Sequence, residues 1–189
     1  KGQELPVLFC IICMPEVMKR ATPKSIFLTG FMGAGKSTVG KFLAELLKCP
    51  FIDLDEMIVQ SENHSIAEIF AENGECYFRD CETALLHHLY KQPRKVYATG
   101  GGLVVRDENR RLMANLGIIV YLRSSWPVLK KRLLQSKDRP LVSSASDWDD
   151  LRNLWTQRQP FYADADIVID TDGLTPLQIA QKINLEMLP

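Results

Sequence analysis

The residues with the clearest chemical purpose form a glycine-rich segment at positions 30–37. It reads Gly-Phe-Met-Gly-Ala-Gly-Lys-Ser, which matches the phosphate-binding pattern Gly-x-x-x-x-Gly-Lys-Ser/Thr. Glycines let backbone N–H groups converge on phosphates, and the N-terminus of a following helix adds partial positive charge. Lys36 would span the β- and γ-phosphates, and the Ser37 hydroxyl would coordinate Mg²⁺. The segment predicts nucleotide binding without identifying an acceptor, and its alternative is a glycine-rich turn with an accidental Lys-Ser.

Two carboxylates follow at the end of the second predicted strand, Asp53 and Asp55. Alternate residues of an extended chain point the same way, so both side chains could reach the crevice beyond the strand ends. Two acids at such a place suit metal and proton chemistry. The alternative is that Asp55 only caps the helix that follows.

Two further segments carry groups that could contact a ligand. Arg79 and Glu82 are three residues apart on a predicted helix, so they share a face and can pair, although this spacing alone is typical of a surface ion pair. Three glycines, residues 100–102, follow another predicted strand. They permit a close approach of the backbone to a ligand, or they form a flexible turn.

The elements that must position these groups alternate along the chain. Short β-rich runs predict strands at residues 25–29, 51–54, 96–99, 118–122 and 167–169. Between them lie helical patterns that place apolar residues on one face, and we expect these to be core positions: Val39, Phe42, Leu43, Leu46, Ile66, Ile69, Phe70, Leu129, Leu133 and Leu134. The alternation predicts an α/β fold of three layers, with a central five-stranded parallel sheet between helices. Residues 136–150 lack periodicity and predict a mobile loop long enough to close over a ligand.

Length and composition favour one ordinary globular domain. The chain has 189 residues, 46% of them hydrophobic, and its 23 Lys and Arg balance 23 Asp and Glu. Net charge therefore gives no support for nucleic-acid binding, and any anion site must be local. Five cysteines, an odd number, suggest no disulfide framework and fit a reducing cytoplasm. Cys10 and Cys13 form a Cys-x-x-Cys within an apolar run, where a redox or zinc role is disfavoured.

Residues 1–23 differ in character from the remainder of the chain. Their apolar stretch, residues 5–14, is interrupted by Pro6 and is too short to span a bilayer. It weakly resembles the apolar part of a secretory signal, but only Lys1 flanks it and no small-x-small cleavage site follows. We therefore expect an N-terminal appendage, then a single domain over residues 24–189, with no membrane partner.

In their order, these segments resemble the shikimate kinase family over residues 24–188. The resemblance is carried by the phosphate loop, Asp-x-Asp, Gly-Glu-x-x-Phe-Arg-x-x-Glu, the triple glycine, Arg139-Pro140-Leu141, and Arg158 with Tyr162. It implies a nucleoside-monophosphate-kinase-like fold with a substrate-binding region at about 55–90 and a lid at about 136–150. It also implies phosphorylation of the 3-hydroxyl of shikimate by ATP with Mg²⁺, a step of chorismate and aromatic amino-acid biosynthesis, by a cytoplasmic protein that we expect to be monomeric.

The resemblance also implies a role for each matching residue. Catalysis is expected from Lys36, Asp55 and Arg139, where Asp55 either accepts the hydroxyl proton or orients the hydroxyl. The expected nucleotide-binding residues are Gly33, Ala34, Gly35, Lys36, Ser37, Thr38, Arg132 and Arg139. The expected shikimate-binding residues are Asp55, Arg79, Glu82, Gly100, Gly101, Gly102 and Arg158. Ser37 and Asp53 are expected at the metal.

Two alternatives compete with this interpretation. Another small-molecule kinase with a phosphate loop, such as gluconate kinase, would share the loop and a lid. Arg79 after the Phe and Arg158 before the Tyr decide against it, because they belong to the shikimate kinase pattern, in which they form the clamp for the substrate carboxylate. A protein that kept the fold as a binding or regulatory module would be expected to lack charged site residues, and the sequence retains them all.

Overall fold

Five parallel strands form the centre of the protein in a computed structural model that describes residues 24–90, 92–135 and 145–188. The strands are β1 (Ser25–Thr29), β2 (Phe51–Asp53), β3 (Val96–Ala98), β4 (Gly117–Arg123) and β5 (Ile167–Asp170). Their order in the sheet is β2-β3-β1-β4-β5. The predicted α/β class and all five predicted strands are confirmed, each strand end lying within one residue of the prediction. Leu54 and Thr99 fall just outside the strands in which the sequence placed them.

Helices cover both faces of this sheet. They are α1 (Lys36–Leu46), α2 (Leu54–Glu62), α3 (Ile66–His88), α4 (Asp107–Leu116), α5 (Trp126–Gln135), α6 (Ala145–Ala163) and α7 (Pro176–Glu186), with a 3₁₀ turn at Leu103–Val105. From β1 the chain moves to one side of the sheet, and after β2 it returns in the opposite direction. Right-handed crossovers therefore place α1 on one face and α3 and α4 on the other. The packing of α1 on α7 and of α3 on α4 agrees.

Helix α1 packs closely against the sheet at Gly40. Its buried face consists of Val39, Gly40, Leu43 and Ala44, and a Cβ on Gly40 would overlap the Phe51 ring of β2. The small residues let the helix backbone approach the strands. The prediction of core positions is wrong for four large side chains that lie beside the buried faces of their helices and are more than a third exposed: Phe42 and Leu46 of α1, Phe70 of α3 and Leu134 of α5.

Two features concern the regions expected to bind substrate and to form a lid. Helix α3 is kinked at Gly74, whose φ of 82° and ψ of 171° are not helical, so a second helical segment begins at Glu75. Helix α6 begins at Ala145, so residues 145–150, predicted as loop, are helical. The remainder of the expected lid, residues 136–144 with Arg139, lies outside the described residues. In the ranges that are described, no helix has both the length and the apolarity needed to cross a membrane.

Candidate active site

The phosphate loop connects β1 to α1, as its sequence predicts. Gly35 precedes the first helical residue with φ of 94°, a left-handed conformation that disfavours other residues. No side chain caps the N-terminus of α1, which leaves this end of the helix suited to an anion. Lys36 folds back over the loop, and its Nζ donates to the carbonyl oxygens of Gly30 at 2.8 Å and Phe31 at 3.1 Å. The lysine is thereby held beside the concave side of the loop.

Ser37 and Asp53 meet although they belong to different elements. The Ser37 hydroxyl donates to Asp53 Oδ2 at 2.6 Å, while Asp53 Oδ1 accepts from the backbone N–H of Asp55 at 3.1 Å. Asp53 is thus the N-cap of α2, a role that the sequence had offered to Asp55 as an alternative. A hydroxyl and a carboxylate side by side at the phosphate loop are oxygen ligands of the kind Mg²⁺ prefers.

Two carboxylates converge on the first residue of the triple glycine. A Cβ built on Gly100 would lie 2.5 Å from Asp55 Oδ1 and 2.9 Å from Glu82 Oε1. Any side chain here would therefore displace both acids, and glycine is needed for contact rather than for a turn. Asp55 comes from the start of α2 and Glu82 from the second part of α3, so the sheet edge brings together residues that are 27 apart in sequence.

Arg79 lies against the last residue of the triple glycine. Both Nη atoms of its guanidinium occupy the space that a Cβ on Gly102 would need. Nη1 donates to Glu82 Oε2 at 2.8 Å. On the other edge Nη2 and Nε both donate to Glu75 Oε1, at 2.8 and 3.3 Å. The pairing of Arg79 with Glu82 predicted from their spacing is confirmed. Glu75 was missed, although its i,i+4 spacing to Arg79 could have indicated it.

This pairing is not a surface ion pair. The Arg79 side chain is 12% exposed and that of Glu82 only 1%, whereas Glu75 is 62% exposed. Burial disfavours the charge of Arg79, but Glu82 and Glu75 outweigh that effect, and the pKa of Arg79 is raised. Burial also raises the pKa of Glu82, to about 7, because desolvation exceeds the opposing effect of Arg79 and the charge of Asp55 adds to it.

The second arginine reaches the same glycines from α6. Arg158 Nη1 donates to the Gly101 carbonyl oxygen at 3.3 Å, and the Tyr162 hydroxyl donates to the same oxygen. Tyr162 is buried and stacks on Tyr121, with ring centroids 5.2 Å apart. This stacking anchors the helix from which Arg158 projects. Arg79 and Arg158 therefore contact adjacent glycines, Gly102 and Gly101. Two guanidinium groups line the surface of the protein at this point.

Arg132 approaches the phosphate loop from α5. Its Nη1 donates to the carbonyl oxygens of Gly33 and Ala34, at 3.3 and 3.4 Å. Thr38 is exposed in the first turn of α1. The structure thus brings together the expected nucleotide-side residues, from Gly33 to Thr38 with Arg132, and separately the expected acceptor-side residues around the triple glycine. Arg139, expected on both the catalytic and the nucleotide side, lies outside the described residues.

Comparison with known proteins identifies the family of this chain. The family model described as shikimate kinase matches residues 32–188, more than four-fifths of the chain. The chain belongs to the shikimate kinase family. A shikimate kinase of Thermodesulfovibrio yellowstonii is 43% identical over 160 residues, which cover 85% of this chain and 92% of the relative. Members of the shikimate kinase family phosphorylate shikimate with ATP in aromatic amino-acid biosynthesis, and this chain is such a kinase.

Solved structures agree with the family assignment. The structure of a shikimate kinase from Acinetobacter baumannii in complex with shikimate has a TM-score of 0.81 and 38% identity, covering 88% of this chain and 93% of that one. A gluconokinase from Sinorhizobium meliloti reaches a TM-score of 0.53 at 18% identity, with 89% and 100% covered. At that identity the likeness shows only the shared fold. The comparisons therefore favour the shikimate kinase interpretation over the gluconate kinase alternative.

Proposed function

We propose that this chain transfers the γ-phosphoryl group of ATP to the 3-hydroxyl of shikimate, giving shikimate 3-phosphate and ADP. The observation that carries the proposal is the triple glycine, against which two carboxylates and two arginines are packed beside a phosphate loop. The hydroxyl oxygen forms a bond to the γ-phosphorus while the bond from that phosphorus to the bridging oxygen of ADP breaks. The proton of the hydroxyl leaves to a carboxylate or to the phosphate.

The acceptor carboxylate fits between Arg79 and Arg158. Both guanidinium groups contact the backbone of adjacent glycines, Gly102 and Gly101, so a small planar anion can bridge them. Charge-assisted bidentate pairs fix orientation as well as affinity, and this suits arginine better than lysine. With its carboxylate held there, the ring of shikimate would direct its hydroxyls toward Asp55 and Glu82 at Gly100, and the backbone N–H groups of the triple glycine would complete the site.

The nucleotide side is assigned to the phosphate loop. Residues Gly33 to Thr38 would enclose the phosphates, and Lys36 would exchange its bonds to the loop carbonyls for contacts to the β- and γ-phosphates. Arg132, held against Gly33 and Ala34, would lie beside the adenine. Arg139, by family resemblance, would add charge from the lid when it closes, which also excludes water as a competing acceptor.

Ser37 and Asp53 would hold magnesium. Their oxygens are adjacent at the phosphate loop, with the hydroxyl 2.6 Å from the carboxylate. Within the described part of the chain no cluster of three or more His, Cys, Asp or Glu residues forms a metal site. A site with one carboxylate suits Mg²⁺, which keeps several waters and takes its other ligands from substrate phosphates. When bound, the ion would neutralise charge on the transferring phosphates.

We assign the chemistry on the acceptor side to Asp55. Its place at Gly100 suits a group that either accepts the hydroxyl proton or orients the hydroxyl for in-line attack. Phosphoryl transfer through a loose transition state does not require early loss of that proton. We assign Asp55 to orientation in the ground state and to proton acceptance late in the transfer.

The remaining proposals concern the protein as a whole. We assign catalysis to a domain of residues 24–189, with residues 1–23 as an appendage. We also propose a monomer, because the residues assigned to both substrates come from one chain. A cytoplasmic location follows from the requirement for ATP.

The decisive experiment is a coupled assay of ADP release with shikimate, gluconate and quinate as parallel acceptors. We expect turnover with shikimate to exceed turnover with gluconate by orders of magnitude, because gluconate lacks a ring that places its carboxylate and hydroxyl across the triple glycine. Product analysis by phosphorus NMR would then test the 3-position. Equal use of gluconate, or ADP release that ignores the acceptor, would overturn the proposal.

A further inference from the structure

The Arg79 guanidinium is contacted on two sides by carboxylates of its own helix. Glu82 takes the edge at Nη1, at 2.8 Å, and is buried. Glu75 takes the other edge with a single oxygen, Oε1, which accepts from Nη2 and Nε. A carboxylate ligand that pairs with Arg79 through two N–H groups must therefore take one of these edges. The edge held by Glu82 is closed by burial, so the edge held by Glu75 is the accessible one.

Glu75 is placed so that it can leave. Its side chain is 62% exposed, whereas Arg79 is 12% exposed, so a carboxylate that is already largely solvated moves into water when it leaves the arginine. It is the first residue after the kink at Gly74 and therefore begins the second helical segment of α3. An acidic side chain in the first turn of a helix is stabilised by the helix dipole, and Glu75 keeps that stabilisation after it leaves Arg79.

We propose that Glu75 is a gate on the carboxylate subsite, an internal carboxylate that occupies Arg79 until an acceptor carboxylate displaces it. The inference rests on the proposed function, because it needs an acceptor whose carboxylate binds between Arg79 and Arg158. Glu75 is a positioning residue here and contacts no reacting atom. A ligand with a carboxylate can take the place of the Glu75 carboxylate at Arg79. An uncharged analogue has no such group and cannot replace Glu75. The gate therefore lowers the apparent affinity for the acid, which must break the Glu75 pair, and leaves the binding of an uncharged analogue unchanged.

The sign of the effect distinguishes a gate from a support. If Glu75 only held Arg79 in place, its removal would loosen the arginine and weaken acceptor binding. A gate predicts the opposite, since the acceptor no longer has to break the Glu75 pair. Exposed ion pairs at i,i+4 spacing stabilise weakly, so we expect an affinity gain of about two- to fivefold.

The test uses the full chain without nucleotide, with shikimate and its methyl ester as ligands in isothermal titration calorimetry. In Glu75→Gln we expect the Kd of shikimate to fall about two- to fivefold, and the Kd of the methyl ester to stay as in the parent. Glu72→Gln is the matched control, because Glu72 is also an exposed acid of α3, 60% exposed, and pairs with His64 rather than Arg79. It removes the same charge nearby and should leave both affinities unchanged.

Three results would overturn the gate. They are weaker or unchanged shikimate binding in Glu75→Gln, an equal gain for the methyl ester, and an equal gain in Glu72→Gln. Turnover of shikimate by the parent protein is measured in the same series. If the parent phosphorylates shikimate but Glu75→Gln shows no gain, the gate alone is wrong. If the parent does not use shikimate, the proposed function and the gate are wrong together.

Discussion

Asp55 and Glu82 direct one carboxylate oxygen each at the same glycine, so that a Cβ on Gly100 would lie 2.5 Å from Asp55 Oδ1 and 2.9 Å from Glu82 Oε1. The two acids differ in their other contacts. Glu82 is bound to Arg79 and buried, whereas the backbone N–H of Asp55 donates to Asp53, which caps α2 and is a proposed magnesium ligand. This asymmetry supports the proposed assignment of the chemistry to Asp55, with Glu82 holding Arg79.

Asp55→Asn preserves size and some hydrogen bonding but removes the charge. If Asp55 accepts the hydroxyl proton, we expect kcat to fall on the order of a hundredfold or more, with a smaller change in KM for ATP. A loss below about tenfold would favour orientation over proton acceptance. Steady-state kinetics with saturating ATP measure this, and parental activity would contradict both roles.

Glu82 predicts a pH dependence of stability. Its pKa of about 7 in the folded protein lies above its ordinary value of 4.5, so protonation favours the folded state. This contribution is complete below about pH 4.5 and is lost as the pH rises through 7. Relative to Glu82→Gln, the parental free energy of unfolding should therefore fall by about 2 kcal/mol between about pH 5.5 and 8.

Urea denaturation of both proteins at several pH values measures that difference. The variant serves as the control for every other titrating group. A parental free energy of unfolding that rises with pH relative to that of Glu82→Gln would contradict the raised pKa of Glu82.

Gly102→Ala tests whether the glycine exists to accommodate Arg79. The new methyl group would overlap both Nη atoms and force the guanidinium away from the subsite. Charge-assisted hydrogen bonds contribute about 1.5–3 kcal/mol, so we expect KM for shikimate to rise about ten- to a hundredfold. KM for ATP, measured in the same assay, should change little. Equal effects on both substrates would mean that the substitution disturbs the whole site.

Arg158→Lys keeps a positive charge near Gly101 but loses the planar fork. We expect KM for shikimate to rise by about tenfold or more, because lysine cannot pair bidentately with its carboxylate. KM for ATP should stay near the parental value, because the contacts to its phosphates are unchanged. Kinetics with each substrate varied in turn would show the separation. A variant that weakened ATP and spared shikimate would place Arg158 on the nucleotide side instead.

Lys36→Ala should abolish measurable turnover while the fold is retained, because the lysine supplies charge at the phosphates and lies outside the hydrophobic core. Circular dichroism and the ADP-release assay test the two parts. Lys41→Ala is the control, since Lys41 is an exposed lysine of the same helix. Turnover of Lys36→Ala within about threefold of the parent would remove this lysine from the mechanism.

Features that depend on local sequence were predictable. The phosphate loop needs glycines, a lysine and a serine at set spacing, and its position between a strand and a helix follows from the adjacent hydrophobic patterns. The five parallel strands were likewise recognisable as short β-rich runs separated by helical segments. The pairing of Arg79 with Glu82 follows from one turn of helix.

Hydrophobic periodicity alone did not predict which residues on the apolar face of a helix are buried. Phe42 and Leu46 matched the helical period of α1 yet remain more than a third exposed. The buried face of α1 is Val39, Gly40, Leu43 and Ala44, with Gly40 against Phe51 of β2, and Phe42 and Leu46 lie beside that face. Which face is buried depends on residues from two elements, so the pattern of one helix cannot specify it.

The tertiary structure also decided which polar groups share a site. Asp55 and Glu82 meet at Gly100 because strands β2 and β3 are neighbours and end at the same edge of the sheet. Arg158 lies 57 residues after Gly101 and reaches it from α6, which Tyr162 anchors by stacking on Tyr121 of β4. Sequence by itself determined the chemical types and the local turns. The contacts between distant segments depend on how the helices pack at the carboxyl ends of the strands. The burial that raises the pKa of Glu82 depends on the same packing.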